Sequence, residues 1–216
     1  MTNPYDPLID RILTVFAGGT FKSELDSAKK VFFDRIVLDE EKPEIFEQRM
    51  SQFYDWYFFS RDLDGYGQTP LEVCASARDL RFTPEELEEI ERLKKHRHSI
   101  FEFIKIKKDD VYLKDLLSGK KVVVRNSPLL YGFNEEEIFE ARLLPHGEDF
   151  VFSKGFCFHP SEARKYILSE IKAHQKDADL NPEELMFRLL RMKYKSEKYP
   201  HVQPEFIYSN EPKLHF

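Results

Sequence analysis

The sequence predicts an α+β protein: an N-terminal helical bundle, a central antiparallel small β-barrel-like sheet, and C-terminal helices closing over it. Three observations lead there. Apolar residues recur at helical spacing through about residue 98, the period falls to two from Ser99 to His159, and the helical period returns from Pro160. The boundaries that follow are a helical domain at 1–98, a barrel-like domain at 99–159, C-terminal helices at 160–198 and an extended tail at 199–216. With 216 residues, 41% hydrophobic content and 31 aromatic rings (20 Phe, 10 Tyr, 1 Trp), the chain has the material for a buried core.

The helical segments come first. Pro7 to Phe16 places Leu8, Ile12 and Val15 on one face, and Gly18-Gly19 stops it; Leu25 to Val37 is a second amphipathic run. Pro43 to Ser60 repeats Phe46, Met50, Phe53 and Tyr57 at i, i+4, i+7 and i+11, with Tyr54, Trp56, Phe58 and Phe59 widening the apolar face. A helix with rings on most sides belongs at the buried centre of a bundle. Pro70 opens a short helix through "LEVCASAR". Thr83, Pro84 and Glu86 form the N-cap, N1 and N3 of a capping box for "EELEEIERLKKH".

Then the pattern alternates. "FEFIKIKK" carries a phase flip between Phe103 and Ile104, the mark of a bulge. "VYLKDLL", "KKVVVRN", "EIFEARLL", "DFVF" and "GFCFH" follow, separated by Asp109-Asp110, Ser118-Gly119, "SPLLYGFNEE", "PHGE" and "SKG". Five or six short strands with tight turns read as an antiparallel meander curled into a barrel. After it come "SEARKYILSEIKAHQ" and a helix capped by Asn181, "PEELMFRLLRMKYK". The tail "YPHVQPEFIYSNEPKLHF", with three prolines, reads as extended.

The stretches "FYDWYFFSRDLDGYGQTPLE", "HRHSIFEFIKIKKDDVYLKDLLSGKKVVVRN" and "EARLLP" resemble an uncharacterised family of bacterial proteins. Its members join an aromatic helix, a Thr-Pro-Leu-Glu loop and a barrel-like segment with an Asp-Leu-Leu-x-Gly turn; some carry a cysteine-rich SEC-C metal-binding tail. The resemblance spans Phe53 to Pro145, and this chain has no such cysteine cluster. It implies the barrel and no activity.

Three groupings carry residue types that metal binding or catalysis uses. "SRDLDGYGQTPLE" looks like a calcium loop, with Ser60, Asp62 and Asp64 before Gly65. An EF-hand closes on a Glu at position 12, where this register puts Leu71, with Glu72 one place late. The reading is a loop, Asp64-Gly65 turning the chain and Thr69-Pro70 capping the next helix. "HRH" (His96, His98) and "CFH" (Cys157, His159) lack the spacing of common zinc modules, and His98 is expected to end a helix. Cys157 and His159 at alternate strand positions do not by themselves make a nucleophile and base. No metal, cofactor or catalytic residue is assigned.

Charge placement is the remaining signal. The chain carries a net −6, yet Lys94 to Asn126 holds ten Lys/Arg against four acids, a local +6. Lys105, Lys107, Lys108, Lys120, Lys121 and Arg125 are the candidate nucleic-acid-binding residues. Tyr112 and Tyr131 are candidate stacking rings on the same barrel. A second basic run lies at Arg188 to Lys198. The alternative is that these lysines solvate a strand pair and protect its edge. The expected function is therefore a non-enzymatic binding protein for RNA or single-stranded DNA. A protein-interaction or regulatory module comes second, and an enzyme with an unrecognised active site third. No stretch reaches the roughly 18–20 apolar residues of a membrane span, and the N-terminus lacks a basic signal-peptide region, so the cytoplasm is the expected location.

Overall fold

Three helix starts fall where side-chain capping puts them. The computed structural model describes residues 3–36, 43–77, 80–125, 127, 133–177 and 181–210, with backbone only at 43–45. The first helices are α1 (Asp6–Phe16), α2 (Lys22–Ile36), α3 (Pro43–Phe59), α4 (Pro70–Val73) and α5 (Pro84–Leu93). Thr83 and Glu86 close a full capping box on α5, and Thr69 and Glu72 close another on α4. After β1 (Arg97–Lys107), β2 (Asp110–Asp115), β3 (Lys121–Val124), β4 (Ile138–His146) and β5 (Asp149–Phe158) come α6 (Arg164–His174), α7 (Pro182–Lys198) and α8 (Pro204–Ile207). Asn181 caps α7 by accepting from the Glu183 N–H at 2.9 Å. The fold is α+β, as the change of period predicts.

The strands close into a barrel in the order β1-β2-β3-β5-β4. β1, β2 and β3 form the expected antiparallel meander, but β5 enters beside β3 and makes the whole sheet mixed rather than antiparallel. The bulge falls where the phase flips: the register slips between Phe103 and Lys105. Its consequence differs from a simple alternation, because Ile104 is left 37% exposed while Ile106 turns inward opposite Val111.

Four local expectations are corrected. "SKG" is not a turn: Ser153, Lys154 and Gly155 lie inside β5, and the residues read as two strands are one. His98 does not end a helix; α5 stops at Leu93, and His98 sits in β1, its Nε2 2.9 Å from Glu140 Oε1. Phe46 is 51% exposed, so the ring stripe of α3 is buried only from Phe53 onward. The tail is not wholly extended, because Pro204 starts α8 and Ile207 and Tyr208 are buried; residues 211–216 lie outside the described residues.

The chain divides into two compact units. The first comprises Met1–Asp34, Leu38–Arg97 and Arg142–Phe156; the second comprises Arg35–Val37, His98–Ala141 and Cys157–Phe216. In the first unit, Phe53 and Tyr57 of α3 stack at 5.8 Å, and Phe32 of α2 meets Phe53 and Trp56 at 5.7 and 5.4 Å. Tyr57 turns its hydroxyl to the Phe16 carbonyl at 2.8 Å.

The same unit buries a charge. Arg142, flanked in sequence by Ala141 and Leu143, is fully enclosed. Its Nε donates to Asp55 Oδ2 at 2.7 Å, its Nη2 to Ser60 Oγ at 2.8 Å, and its Nη1 to His96 Nδ1 at 3.0 Å. A guanidinium only donates, so His96 accepts at Nδ1 and carries its proton on Nε2. Phe59 lies over the guanidinium at 4.9 Å. Gly155 admits Asp55 to this place, since a Cβ there would stand 2.8 Å from Asp55 Cβ. That contact explains why "SKG" contains a glycine without making a turn.

In the second unit aromatic rings gather in one cluster. Phe133 stacks on Phe103 at 5.0 Å, and Phe139 meets Phe133 and Phe158, each at 5.3 Å. A helical cluster of Ile167, Ile171, Leu185 and Leu189 packs with Ile100, Leu116 and Ile138.

Candidate functional site

The calcium-like loop is built as a turn. Gly65 and Gly67 take φ of +80° and +62°, and the Leu63 N–H reaches the Gln68 carbonyl at 2.9 Å. Arg61 holds the loop's acid, lying 3.0 Å from Asp64 and 3.3 Å from Glu24, and its hydrogen bond keeps the Asp64 carboxyl below the usual range. Glu72, the residue one place late for calcium, is engaged with the Thr69 N–H at 2.8 Å as half of a capping box.

The two members of the histidine pair take different partners. His96 receives Arg142 in the first unit, while His98 pairs with Glu140 in the second. Among the described residues no group of three or more His, Cys, Asp or Glu is placed to hold a metal. Burial pushes the Cys157 thiol well above its ordinary pKa and the Cys74 thiol up to about 11, the reverse of an activated nucleophile. His159 is buried, and burial foremost, with the positive charge of Lys193, lowers its pKa to about 3. Its Nδ1 lies 3.0 Å from the Tyr208 hydroxyl.

The basic residues, by contrast, do come together. Register places Glu102, Lys114 and Lys121 in one cross-strand row, Lys105, Tyr112 and Val123 in the next, and Lys107 beside Asp110 in a third. The intervening rows, Phe103-Leu113-Val122 and Ile106-Val111-Val124, turn inward. Strand alternation therefore puts the lysines on the outer face of β1–β3. Lys105, Lys107, Lys108, Lys114, Lys120 and Lys121 are all exposed.

Local bonding decides how much of this charge is available. Glu102 is held by Arg164 at 2.6 Å, and Asp110 by Arg125 at 2.6 Å. Arg125, with half of its side chain exposed, is thus paired with Asp110. Among the described residues no ion pair involves Lys107, Lys108, Lys114, Lys120 or Lys121. Lys105 Nζ lies 5.4 Å from the centroid of the half-buried Tyr112 ring. Tyr131, the other ring expected there, lies outside the described residues.

Both ends of this face are fixed by turns. Lys108 occupies the β1–β2 turn at φ +58°, a left-handed conformation that favours Gly or Asn. At the β2–β3 turn the buried Asp115 accepts from Ser99 Oγ at 2.6 Å, Ser118 Oγ at 2.7 Å and the Leu117 and Ser118 N–H groups. Gly119 at φ +72° completes it. This is the physical content of the Asp-Leu-Leu-x-Gly turn, and it presents Lys120 and Lys121 from a braced loop.

Two residues of the second basic run are paired within the chain. Arg188 pairs with Glu170, and Lys193 with Glu197 at 3.2 Å. No helix among the described residues is long and apolar enough to cross a membrane.

Residues 21–191 match the model of a family of unknown function, DUF7986, and the chain belongs to that family. The match reaches beyond the Phe53 to Pro145 stretch on both sides and agrees with membership in an uncharacterised family. No curated protein and no solved structure matches the chain.

Proposed function

We propose that this DUF7986 member binds single-stranded nucleic acid, RNA or DNA, along the outer face of β1–β3. One observation carries the reading: five exposed lysines on or beside that face lack an ion-pair partner among the described residues, while the neighbouring Glu102 and Asp110 are already neutralised. Unpaired ammonium groups gathered on one face are what a phosphate backbone engages, with release of its counterions. Tyr112 and Lys105 add a ring and a cation at one point, the combination on which a base stacks while its phosphate is paired. Lys108 supports the reading further, since a lysine kept in a left-handed turn bears a cost of about 1–2 kcal/mol that glycine would not. Small five-stranded barrels bind oligonucleotides on the strand 2–3 face and its turns, a likeness of architecture alone. On this reading the protein is a non-enzymatic binding module of the cytoplasm.

The test is charge reversal. Lys107→Glu with Lys121→Glu is expected to weaken binding of a labelled single-stranded RNA at least tenfold in fluorescence anisotropy. Lys165→Glu, an exposed lysine on α6, should leave affinity within about twofold. Equal loss in both variants would mean a general charge effect and would remove the site.

A further inference from the structure

The first unit contains a half-open cleft of about 420 Å³, within the range of small-molecule sites. One face of α1 and one face of α3 form its walls, with Ile9, Leu13, Tyr54 and Phe58 giving it an apolar and aromatic lining. Asp6 and Asp10, one turn apart on α1, and Asp55 on α3 carry negative charge into it; Lys154 is the one cation among the lining residues. Asp55 is already matched by Arg142 behind it, so the unbalanced charge sits with Asp6 and Asp10.

Lys154 shows where a cation rests. Its Nζ stands 3.4 Å from Asp6 Oδ2 and 3.5 Å from Asp10 Oδ1, longer than the 2.7–2.9 Å of a formed ammonium–carboxylate hydrogen bond. The lysine is 55% exposed and bridges the two acids loosely. Ser153, itself 7% exposed, belongs to the cleft wall, and its enclosed Oγ has no hydrogen-bond partner among the described residues.

We propose that this cleft binds a small organic amine with a flat, aromatic body. The ring lies against Tyr54 and Phe58, and the ammonium takes the position that Lys154 now fills between Asp6 and Asp10. The charge balance selects the cation over a neutral or acidic molecule of the same shape, and aromatic walls add to that preference. Lys154 acts as a competitor tethered to the site.

Three probes with one ring system test it: tryptamine, its neutral alcohol analogue tryptophol, and indole-3-propionate, titrated into the full chain by calorimetry. Tryptamine is expected to bind at least tenfold more tightly than the other two. Asp10→Asn, at a 63% exposed side chain where folding is not at stake, should weaken tryptamine about tenfold. Lys154→Ala should strengthen it several-fold by removing the competitor. Absence of tryptamine binding, equal binding of all three probes, or weaker binding in Lys154→Ala would each overturn the proposal. Nucleic-acid binding by the barrel face is unaffected by any of these outcomes.

Discussion

Arg142→Met is expected to destabilise the first unit by about 3–5 kcal/mol, the usual cost of removing one partner from a buried ion pair. The substitution keeps the approximate length of the side chain and removes the guanidinium, leaving Asp55 with a buried, uncompensated carboxylate. His96 Nδ1 and Ser60 Oγ lose their donor at the same time. Trp56 is the only tryptophan in the chain and packs in the same unit, so its fluorescence during urea unfolding reports the loss directly. Adding Asp55→Leu should recover most of the lost stability, because replacing both members of a buried pair with apolar groups is often neutral. A loss below about 1 kcal/mol in the single variant would show that the network does not hold this unit together.

The second large effect is on pH. His159 titrates near pH 3 in the folded chain and near 6.5 when unfolded, chiefly because burial disfavours its charged form. Between those values the unfolded chain takes up a proton that the folded one refuses. Stability from this group is therefore fully present above about pH 6.5 and falls as the pH drops toward 3, by about 1.4 kcal/mol per unit. From pH 7 to pH 5 the expected loss is about 2 kcal/mol, measured as unfolding free energy by circular dichroism. His159→Gln cannot titrate, and its stability should fall less than the parent's over the same interval by about that amount. Tyr208 faces the ring, and Lys193 opposes its protonation, so neither relieves the loss. Parallel pH profiles in the two proteins would contradict this account.

Much of the fold is legible in local chemistry. Thr83 with Glu86, Thr69 with Pro70, and Asn181 mark helix starts because a cap acts within three residues of itself. The bulge after Phe103 is readable for the same reason, since a broken alternation is a local event. What escapes is non-local. Nothing in the order of five strands says that β5 will lie beside β3, and a glycine in "SKG" reads as a turn until Asp55, a hundred residues earlier, is seen against it. The candidate interface was legible because its lysines lie on consecutive strands whose register follows from two short turns. Its true charge was not: that Arg125 is consumed by Asp110 and Glu102 by Arg164 depends on side chains meeting across elements. The buried Asp55–Arg142 pair went unread, although Asp55 within "FYDWYFF" and Arg142 within "EARLLP" are charged residues in apolar runs. Such residues are buried only when paired, and that was the available signal.

The most direct test of the nucleic-acid interface is the salt dependence of single-stranded RNA affinity, followed by anisotropy between 50 and 200 mM monovalent salt. Four to six lysine–phosphate contacts predict a log–log slope of about −3 to −4, since each contact on a single strand contributes about −0.7. A slope flatter than about −1, or no binding at 50 mM, would contradict the account and leave these lysines as solvation of the barrel's outer wall.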